Sequence, residues 1–448
     1  MKPSIPKGTR DFTPEQVAKR NYIFETIREV FIKYGYQPIE TSAMENLATL
    51  TGKYGTEGDK LLFKVLNNGD FLAKADKEAL AALDSAKAVK SLAKRGLRYD
   101  LTVPFARFVV MHRNDITFPF KRYQIQPVWR ADRPQKGRYQ EFYQCDVDVV
   151  GSNSLMYEAE LVLIYDEVFT RLNIPVTIKY NNRKILEGIA EVAGISEQFV
   201  EMTTSIDKLD KIGMEGVRTD MENRGISTDA IDKIAGILSI GSIDEMRPLL
   251  SSSDAGRKGI EELEEMSQYL GTATAHNTVQ FDCTLARGLS YYTGCIFEVT
   301  ADNVKMGSIG GGGRYDDLTG TFGMKDVSGV GVSFGAERIY DVMQELDLFP
   351  KSDKSALKVL LIAYDKDSHH YAFSVTIKLR EAGINADLYP TPTKIQKQMK
   401  YANARKVPFT IHIGGNEMER GKLTLKDMNT GVQSSLSLEE IINQLGDH

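Results

Sequence analysis

The sequence predicts an α+β protein: a β-hairpin set among helices and short strands, a helical insertion, and a compact C-terminal α/β domain. Three observations predict it. Two long runs alternate polar and apolar residues on either side of a basic turn at 131–140. The texture changes to repeated helical periodicity over 182–270. After residue 356, strand-like and helix-like segments alternate. The first domain is therefore placed at 1–181 and 271–347, the insertion at 182–270, and the last domain at 356–448, after a linker at 348–356.

The N-terminal segment Lys7-Gly8-Thr9-Arg10-Asp11-Phe12 is a polar turn. Thr13 then serves as N-cap and Pro14 as first helical residue, a position where its missing N–H costs nothing. Tyr22, Ile23, Ile27, Val30, Phe31 and Tyr34 recur at helical spacing, and Gly35 ends the helix. Extended chain is expected over 36–44 and a strand over 61–66, closed by the turn Asn67-Asn68-Gly69-Asp70. Residues 72–95, rich in alanine, lysine and leucine, predict an exposed helical insert. The following LRYDLT places Arg98, Asp100 and Thr102 on one face of a strand, with Pro104 opening a helix.

The hairpin 121–151 carries the first functional signal. Strand side chains alternate faces, so Tyr123, Ile125 and Trp129 share one side and Arg122, Gln124, Gln126 and Arg130 the other. In the return strand Tyr143, Cys145, Val147 and Val149 oppose Phe142, Gln144, Asp146 and Asp148. One side suits a core. The other, with arginine, amides, carboxylates and one ring, suits a polar site for a ligand bearing phosphate and ammonium groups. Arg133, Lys136 and Arg138 add guanidinium and ammonium groups at the tip, and guanidinium forks match phosphate oxygens. A basic turn alone is more often merely solvated; the carboxylate and amide row beside it favours a site.

A helix over 154–172 and a strand over 176–180 precede the insertion, in which acidic clusters and glycine breaks carry no evident chemistry. Two β-rich runs then surround Ala286-Arg287-Gly288-Leu289-Ser290-Tyr291-Tyr292-Thr293-Gly294, a loop able to bind an anion and box a planar group; a plain tyrosine-rich turn is an equal reading of that segment alone. Gly310 to Gly313 let backbone approach a ligand closely, yet no Lys-Ser/Thr follows, so this is no P-loop. A strand at 329–334 feeds a helix whose first turn holds Arg338, placed toward a phosphate. The last domain reads strand 359–363, helix 368–382, strand 385–389, helix 393–404, strand 409–413, a strand pair and a final helix near 437–445.

Bulk composition excludes several classes. No apolar run reaches the roughly 18–20 residues of a membrane span. MKPSIPKGTRDF has no apolar core of a secretory signal. Cys145, Cys283 and Cys295 form neither a CxxC pair nor a disulfide framework, which fits a reducing cytoplasm. The histidines lack metal spacing, so no zinc site is expected. With a net charge of −5, contact with nucleic acid must use a local basic patch.

LRYDLT at 97–102, RADRPQKGRYQEFYQCDVD at 130–148, ARGLSYYTG at 286–294, GGGRYD at 311–316 and GVSFGAER at 331–338 together resemble the histidyl-tRNA synthetases. Each motif is weak alone; the ordered set is specific and spans nearly the whole chain. The resemblance implies an antiparallel catalytic sheet flanked by helices, as in class II aminoacyl-tRNA synthetases, with a helical insertion and a C-terminal α/β anticodon-binding domain. It implies ATP with Mg²⁺ as substrate, L-histidine and tRNA(His) as the other substrates, no tightly bound cofactor, no protein-held metal, a homodimer and a cytoplasmic location. Arg130 would hold the α-phosphate and the substrate carboxylate, and Arg138 and Arg338 the outer phosphates. Phe142 would stack on adenine, with Asp132 also among the ATP-binding residues. Asp100, Thr102 and Gln144 would receive the α-ammonium, and Asp148, Tyr291 and Tyr292 would line the imidazole pocket. Arg287 would act on the α-phosphate during attack, making Arg287 and Arg130 the catalytic pair. Three features depart from the family pattern: Ser290 where aspartate is usual, Ser42 near the usual proline, and a long 72–95 segment. A synthetase-like regulatory subunit, or a tRNA-binding protein with an idle catalytic domain, is the alternative. Regulatory subunits of that kind typically lose the arginine loop and the last domain, and this chain keeps Arg287 and the region after 356.

Overall fold

The computed structural model describes residues 2–51, 61–286, 291–350 and 357–446. Two compact units emerge, Met1–Phe349 and Pro350–His448. The first is built on an eight-stranded sheet in the order β1-β5-β6-β11-β10-β9-β7-β8. Its strands are β1 (Gln37–Pro38), β5 (Phe120–Trp129), β6 (Glu141–Val150), β7 (Val176–Asn182), β8 (Thr278–Phe281), β9 (Cys295–Ala301), β10 (Gly310–Tyr315) and β11 (Gly329–Gly335). The edge pairs β1·β5 and β7·β8 are parallel, and every pair between them is antiparallel. A small sheet of β2 (Met44–Asn46), β4 (Arg95–Leu97) and β3 (Lys64–Val65) lies in the same unit.

Helix Pro14–Lys33 forms where its caps direct it: Gln16 Oε1 accepts from the Thr13 amide at 2.8 Å, and Gly35 takes φ +80° just past the end. Its buried face (Ile23, Ile27, Val30, Phe31) joins Leu161, Ile164, Val168 and Phe169 of helix Met156–Arg171 in one core with Val147, Val332 and Phe297. These residues cover the apolar side of the large sheet, so its polar side is left for a site.

Two local expectations change, at 98–102 and over the extended chain, and two further segments gain detail. The segment 72–95 is helical and largely exposed, but interrupted. Two short helices, Lys77–Ala81 and Ser85–Leu92, are separated at Leu83 (φ +56°), because Asp84 caps the second by accepting from the Lys87 amide. Arg98, Asp100 and Thr102 do not share a strand. β4 stops at Leu97 and a helix starts at Thr102, with Asp100 Oδ1 taking the Val103 amide at 3.3 Å. The glycine run is a strand, β10, in the middle of the sheet. The extended chain expected at 36–44 and 61–66 shrinks to β1, β2 and β3.

Helices Arg183–Ala193, Phe199–Ile206, Leu209–Asn223, Thr228–Leu238, Ile243–Leu249 and Asp254–Leu270 follow β7 and return to β8. Helix Asp254–Leu270 packs on helix Arg183–Ala193 so closely that a Cβ on Gly188 would lie 2.6 Å from the Gly256 Cα.

The second unit is a five-stranded sheet, β13-β12-β14-β15-β16: β12 (Val359–Ala363), β13 (Ala386–Leu388), β14 (Phe409–Ile413), β15 (Leu423–Asp427) and β16 (Gln433–Leu436). β13, β12 and β14 are parallel, and β15 and β16 antiparallel. Helices Lys366–Glu381, Ile395–Ala404 and Leu438–Leu445 match the pattern read from the sequence; helix Gly415–Arg420 was not anticipated.

Candidate active site

The register of the large sheet sets side chains of one parity in rows. Arg122 faces Asp148, which faces Gly331, which faces Gly313. One step along, Gln124 faces Asp146, Ser333 and Gly311, and that row ends at Glu298. A third row holds Gln126, Gln144 and Gly335. Acidic and amide groups thus come from β6, while β10 and β11 contribute glycines that leave the floor open. Above it lies a cavity of about 360 Å³. Asp100, Thr102, Gln144, Asp146, Asp148, Tyr291 and Tyr292 line it, and so do Arg130, Asp132, Arg138, Phe142 and Arg338.

The acidic end is buried and tightly held. Arg122 Nη2 lies 2.7 Å from Asp148 Oδ2, and the Tyr315 hydroxyl donates to Asp148 Oδ1 at 2.7 Å. Arg122 also sits 4.1 Å from the centre of the Phe105 ring. Its Nε and Nη2 nevertheless make no directed hydrogen bond; the contact with Asp148 is charge against charge. Gln144 donates from Nε2 to Ser333 Oγ (3.0 Å) and Asp146 Oδ1 (3.3 Å), which leaves its buried Oε1 without a donor. A buried acceptor left open beside a cavity is fit for an ammonium. Burial raises Asp146 and Asp148 above the ordinary carboxylate range, Asp146 to about 7, against the pull of Arg122. Burial likewise holds the Tyr291 and Tyr292 phenols neutral, and their rings lie 4.6 Å apart.

The other end is cationic. Arg130, one residue past β5, donates from Nε to the Tyr99 carbonyl (2.9 Å) and lies 5.2 Å from the Phe142 ring centre. Arg338, in the first turn of helix Ala336–Glu345, donates to the carbonyls of Gly137 (2.7 Å) and Ser308 (2.5 Å). Both guanidiniums are held by backbone before any ligand arrives. Of the three cations at the hairpin tip, only Arg138 lines the cavity; Lys136 pairs with Glu345 at 3.1 Å and Arg133 is exposed.

The sequence matches the family description "Histidyl-tRNA synthetase" over residues 70–339 and "Anticodon binding domain" over 358–448. It is 54% identical to a protein named histidine–tRNA ligase from Phocaeicola vulgatus over 446 residues, 98% of either chain. It is 55% identical to one of the same name from Christiangramia forsetii over 453 residues, 99% of either chain. The crystal structure of histidyl-tRNA synthetase from Nostoc sp. PCC 7120 superposes with a TM-score of 0.83 at 30% identity, over 99% of both chains. The chain belongs to the histidyl-tRNA synthetase family.

Among the residues that the resemblance to this family singles out, all but one meet at the same cavity. The exception, Arg287, lies with Ser290 outside the described residues. Asp100 and Thr102 reach the cavity from a helix start and not from the expected strand. Sequence reasoning put Arg122 and Asp146 on the polar side of the hairpin without individual roles, and did not single out Tyr315. The signal for Arg122 was present in the hairpin: once the turn is centred, it stands opposite Asp148.

The GGGRYD motif holds the tyrosine pair in place. Arg314 is ion-paired with buried Glu158 and donates to Ser328 Oγ (2.6 Å). Ser328 donates to Asp316 (2.6 Å), and Asp316 accepts from Thr293 Oγ1 (2.7 Å). The Thr293 amide donates to the Arg314 carbonyl at 2.8 Å. The segment after Tyr292 is therefore tied at both backbone and side chain. From the first helix of the inserted segment, the Arg183 amide donates to the Gly294 carbonyl at 2.9 Å.

Proposed function

We propose that this cavity activates L-histidine with ATP to form histidyl-adenylate, and then passes the histidyl group to the 3′ end of tRNA(His). The observation that carries this reading is one cavity with a buried acidic and amide end and a guanidinium end. Histidine has a cation at its α-amino group and a carboxylate one bond away; ATP brings the phosphates. Gln144 Oε1, Asp100 and Thr102 receive the α-ammonium, and Asp148, Tyr291 and Tyr292 take the imidazole ring. Hydrogen bonds to ring nitrogens reject isosteric apolar side chains more strongly than a greasy pocket would. Arg130 bridges the substrate carboxylate and the α-phosphate. Arg138 and Arg338 hold the outer phosphates, Phe142 stacks on adenine, and Asp132 completes the nucleotide set.

A histidine carboxylate oxygen attacks the α-phosphorus. The bond from that phosphorus to the bridging oxygen breaks, and pyrophosphate leaves with its Mg²⁺, which enters as part of the nucleotide substrate. A ribose hydroxyl of the tRNA end then attacks the acyl carbon and AMP departs. No side chain needs to become covalently attached, so catalysis is orientation and charge stabilisation. Residues 1–181 with 271–347 form the catalytic domain, 182–270 the insertion and 356–448 the anticodon-binding domain. The protein works as a homodimer in the cytoplasm.

Histidine-dependent exchange of pyrophosphate into ATP tests the reading, and a folded protein without exchange would reject it. Arg287→Ala is expected to slow exchange at least a hundredfold while histidine affinity changes less than threefold, because Arg287 acts on charge that develops during attack. Equal losses in both would remove it from that role.

The acidic end also predicts a proton signature. In the free protein Asp146 titrates near 7, raised by burial. A bound cation favours the carboxylate and lowers that value. Histidine binding at pH 6.5 therefore releases a proton that is no longer there to release above about pH 8. Calorimetry in two buffers of different ionisation enthalpy reads this, and Asp146→Asn is expected to abolish the excess release. Identical proton release by the two proteins would take Asp146 out of the pocket.

A further inference from the structure

The proposed reaction puts three of the described arginines at the phosphates, and they are held differently. Arg130 and Arg338 are each fixed through a guanidinium nitrogen to a backbone carbonyl. The Arg138 side chain lines the cavity but has no hydrogen-bond or ion-pair partner among the described residues. Its place is therefore set by its backbone and by its neighbours in the turn. Arg138 and Gln135 close that turn by exchanging amide-to-carbonyl bonds of 2.9 and 3.2 Å. On one side of Arg138, the Gly137 carbonyl is taken by Arg338. On the other side, Tyr139 meets a part of the chain with no role so far, the N-terminal segment 6–12.

Tyr139 is gripped from two directions. Its hydroxyl donates to Asp341 Oδ2 at 2.8 Å. Asp341 lies one turn after Arg338 on helix Ala336–Glu345, so one helical face holds the hairpin tip twice. From the other direction, the Arg10 guanidinium carbon stands 3.5 Å from the centre of the Tyr139 ring, and Arg10 Nη1 lies 3.6 Å from Asp341 Oδ1. A guanidinium plane stacked on a ring and beside a carboxylate restrains both. Partial burial and the bond to Asp341 push the Tyr139 phenol up to about 12, so it remains a donor at neutral pH.

The rest of the segment packs against the same frame. The Gly8 carbonyl accepts from the Gln140 amide at 2.8 Å. Gln140 in turn donates to the Asp132 carbonyl and accepts from the Arg130 amide. Gly8 has φ +85°, and a Cβ there would press to 2.7 Å on Gln140 Cγ. The Phe12 ring centre lies 4.0 Å from the Arg20 guanidinium, which pairs with Glu337 at 2.8 Å. Glu337, next to Arg338, accepts the Tyr143 amide. These are not the contacts of a plug: no residue of 6–12 belongs to an apolar core of this unit. They bind the two ends of the turn to the helix that carries Arg338. A ligand-binding side chain is only as well placed as the shell that holds it.

We propose that Arg10 is a positioning residue, and that the N-terminal segment sets the hairpin tip so that Arg138 reaches the outer phosphates of ATP. The inference rests on the proposed adenylation reaction.

The test measures equilibrium binding of ATP with Mg²⁺, and of AMP, to full-length wild type, Arg10→Ala, Arg10→Lys and Gly8→Ala, with melting temperatures alongside. Arg10→Ala should weaken ATP binding about tenfold, the worth of one well-ordered guanidinium–ring contact. AMP lacks the outer phosphates, so its affinity should stay within about twofold of wild type. Arg10→Lys keeps a cation over the ring and should recover most of the loss. Gly8→Ala leaves ring and carboxylate untouched, and should give the same ATP-selective loss by lifting the segment from Gln140. Arg10→Ala added to Arg138→Ala should cost ATP little more than Arg138→Ala alone, because both act through one guanidinium. A lowered melting temperature with unchanged ATP affinity, or equal losses of ATP and AMP, would overturn the proposal. So would additive losses from Arg10→Ala and Arg138→Ala. A wild type that binds ATP and exchanges pyrophosphate, matched in ATP affinity by Arg10→Ala, rejects this inference alone. A folded wild type that does neither removes the catalytic reading as well.

Discussion

Asp148→Asn is expected to abolish histidine-dependent exchange and to destabilise the fold at the same time. The double effect follows from what Asp148 touches. Arg122 has no solvent exposure, and the only carboxylate it contacts among the described residues is Asp148. Removing one member of a buried pair strands the other charge, which costs about 3–5 kcal/mol. The functional loss has a separate origin: the imidazole pocket loses its charged acceptor, and histidine kcat/KM should fall at least a hundredfold. The two effects can be separated. Arg122→Met with Asp148→Asn removes both charges at similar volume, and pairs exchanged in this way are often neutral. The double variant should recover most of the lost melting temperature and none of the activity. Tyr315→Phe, which keeps the ion pair and deletes one hydrogen bond, should show a mild form of both losses. If Asp148→Asn bound histidine normally, the carboxylate would be only a counter-ion for Arg122 and the pocket would have to be placed elsewhere.

How far the sequence could be read depended on where the controlling contacts lay. The hairpin 121–151 was legible because both partners of each contact sit in one local repeat of period two. The Pro14–Lys33 helix was legible from its own caps. The rest turned on distant partners. Gly310–Tyr315 looks like a loop in composition, and glycine weakens an isolated strand. It is a strand because β9 and β11 pair with it on both sides and because Tyr165, from a helix far back in the chain, fills the space at Gly310. Asp100 and Thr102 line the cavity but stand on a different element from the one expected, since a carboxylate that caps a helix looks in sequence like one on a strand. The split at Leu83 carried a readable cue in Asp84 before Ser85, outweighed by the helix-forming composition around it. Within the site, residue types were legible from the polar face of the hairpin. The pairing of Arg122 with Asp148 needed the register, and the clamp from Arg314 through Ser328 and Asp316 to Thr293 needed the tertiary fold.

Two glycines on neighbouring strands should give opposite kinds of failure when changed to alanine. At Gly312 a Cβ would overlap the Gly331 carbonyl and come within 2.6 Å of the Val332 Cα, both parts of the adjoining backbone. Backbone cannot rotate away, so Gly312→Ala should part β10 from β11 and lower the melting temperature whatever stands at 148. At Gly331 the obstruction is a side chain, the Asp148 carboxylate. That group can swing aside, but only by leaving Arg122 and Tyr315. Gly331→Ala should therefore reproduce Asp148→Asn: histidine kcat/KM down at least a hundredfold, with a comparable loss of stability. A double-mutant cycle makes the distinction quantitative, because substitutions acting through one contact are not additive. Gly331→Ala combined with Asp148→Asn should be little worse than either alone. Gly312→Ala combined with Asp148→Asn should show the full sum. Additive losses in the first pair would mean that Gly331 is needed for its own backbone, and that the open floor beneath the carboxylate is incidental to histidine binding.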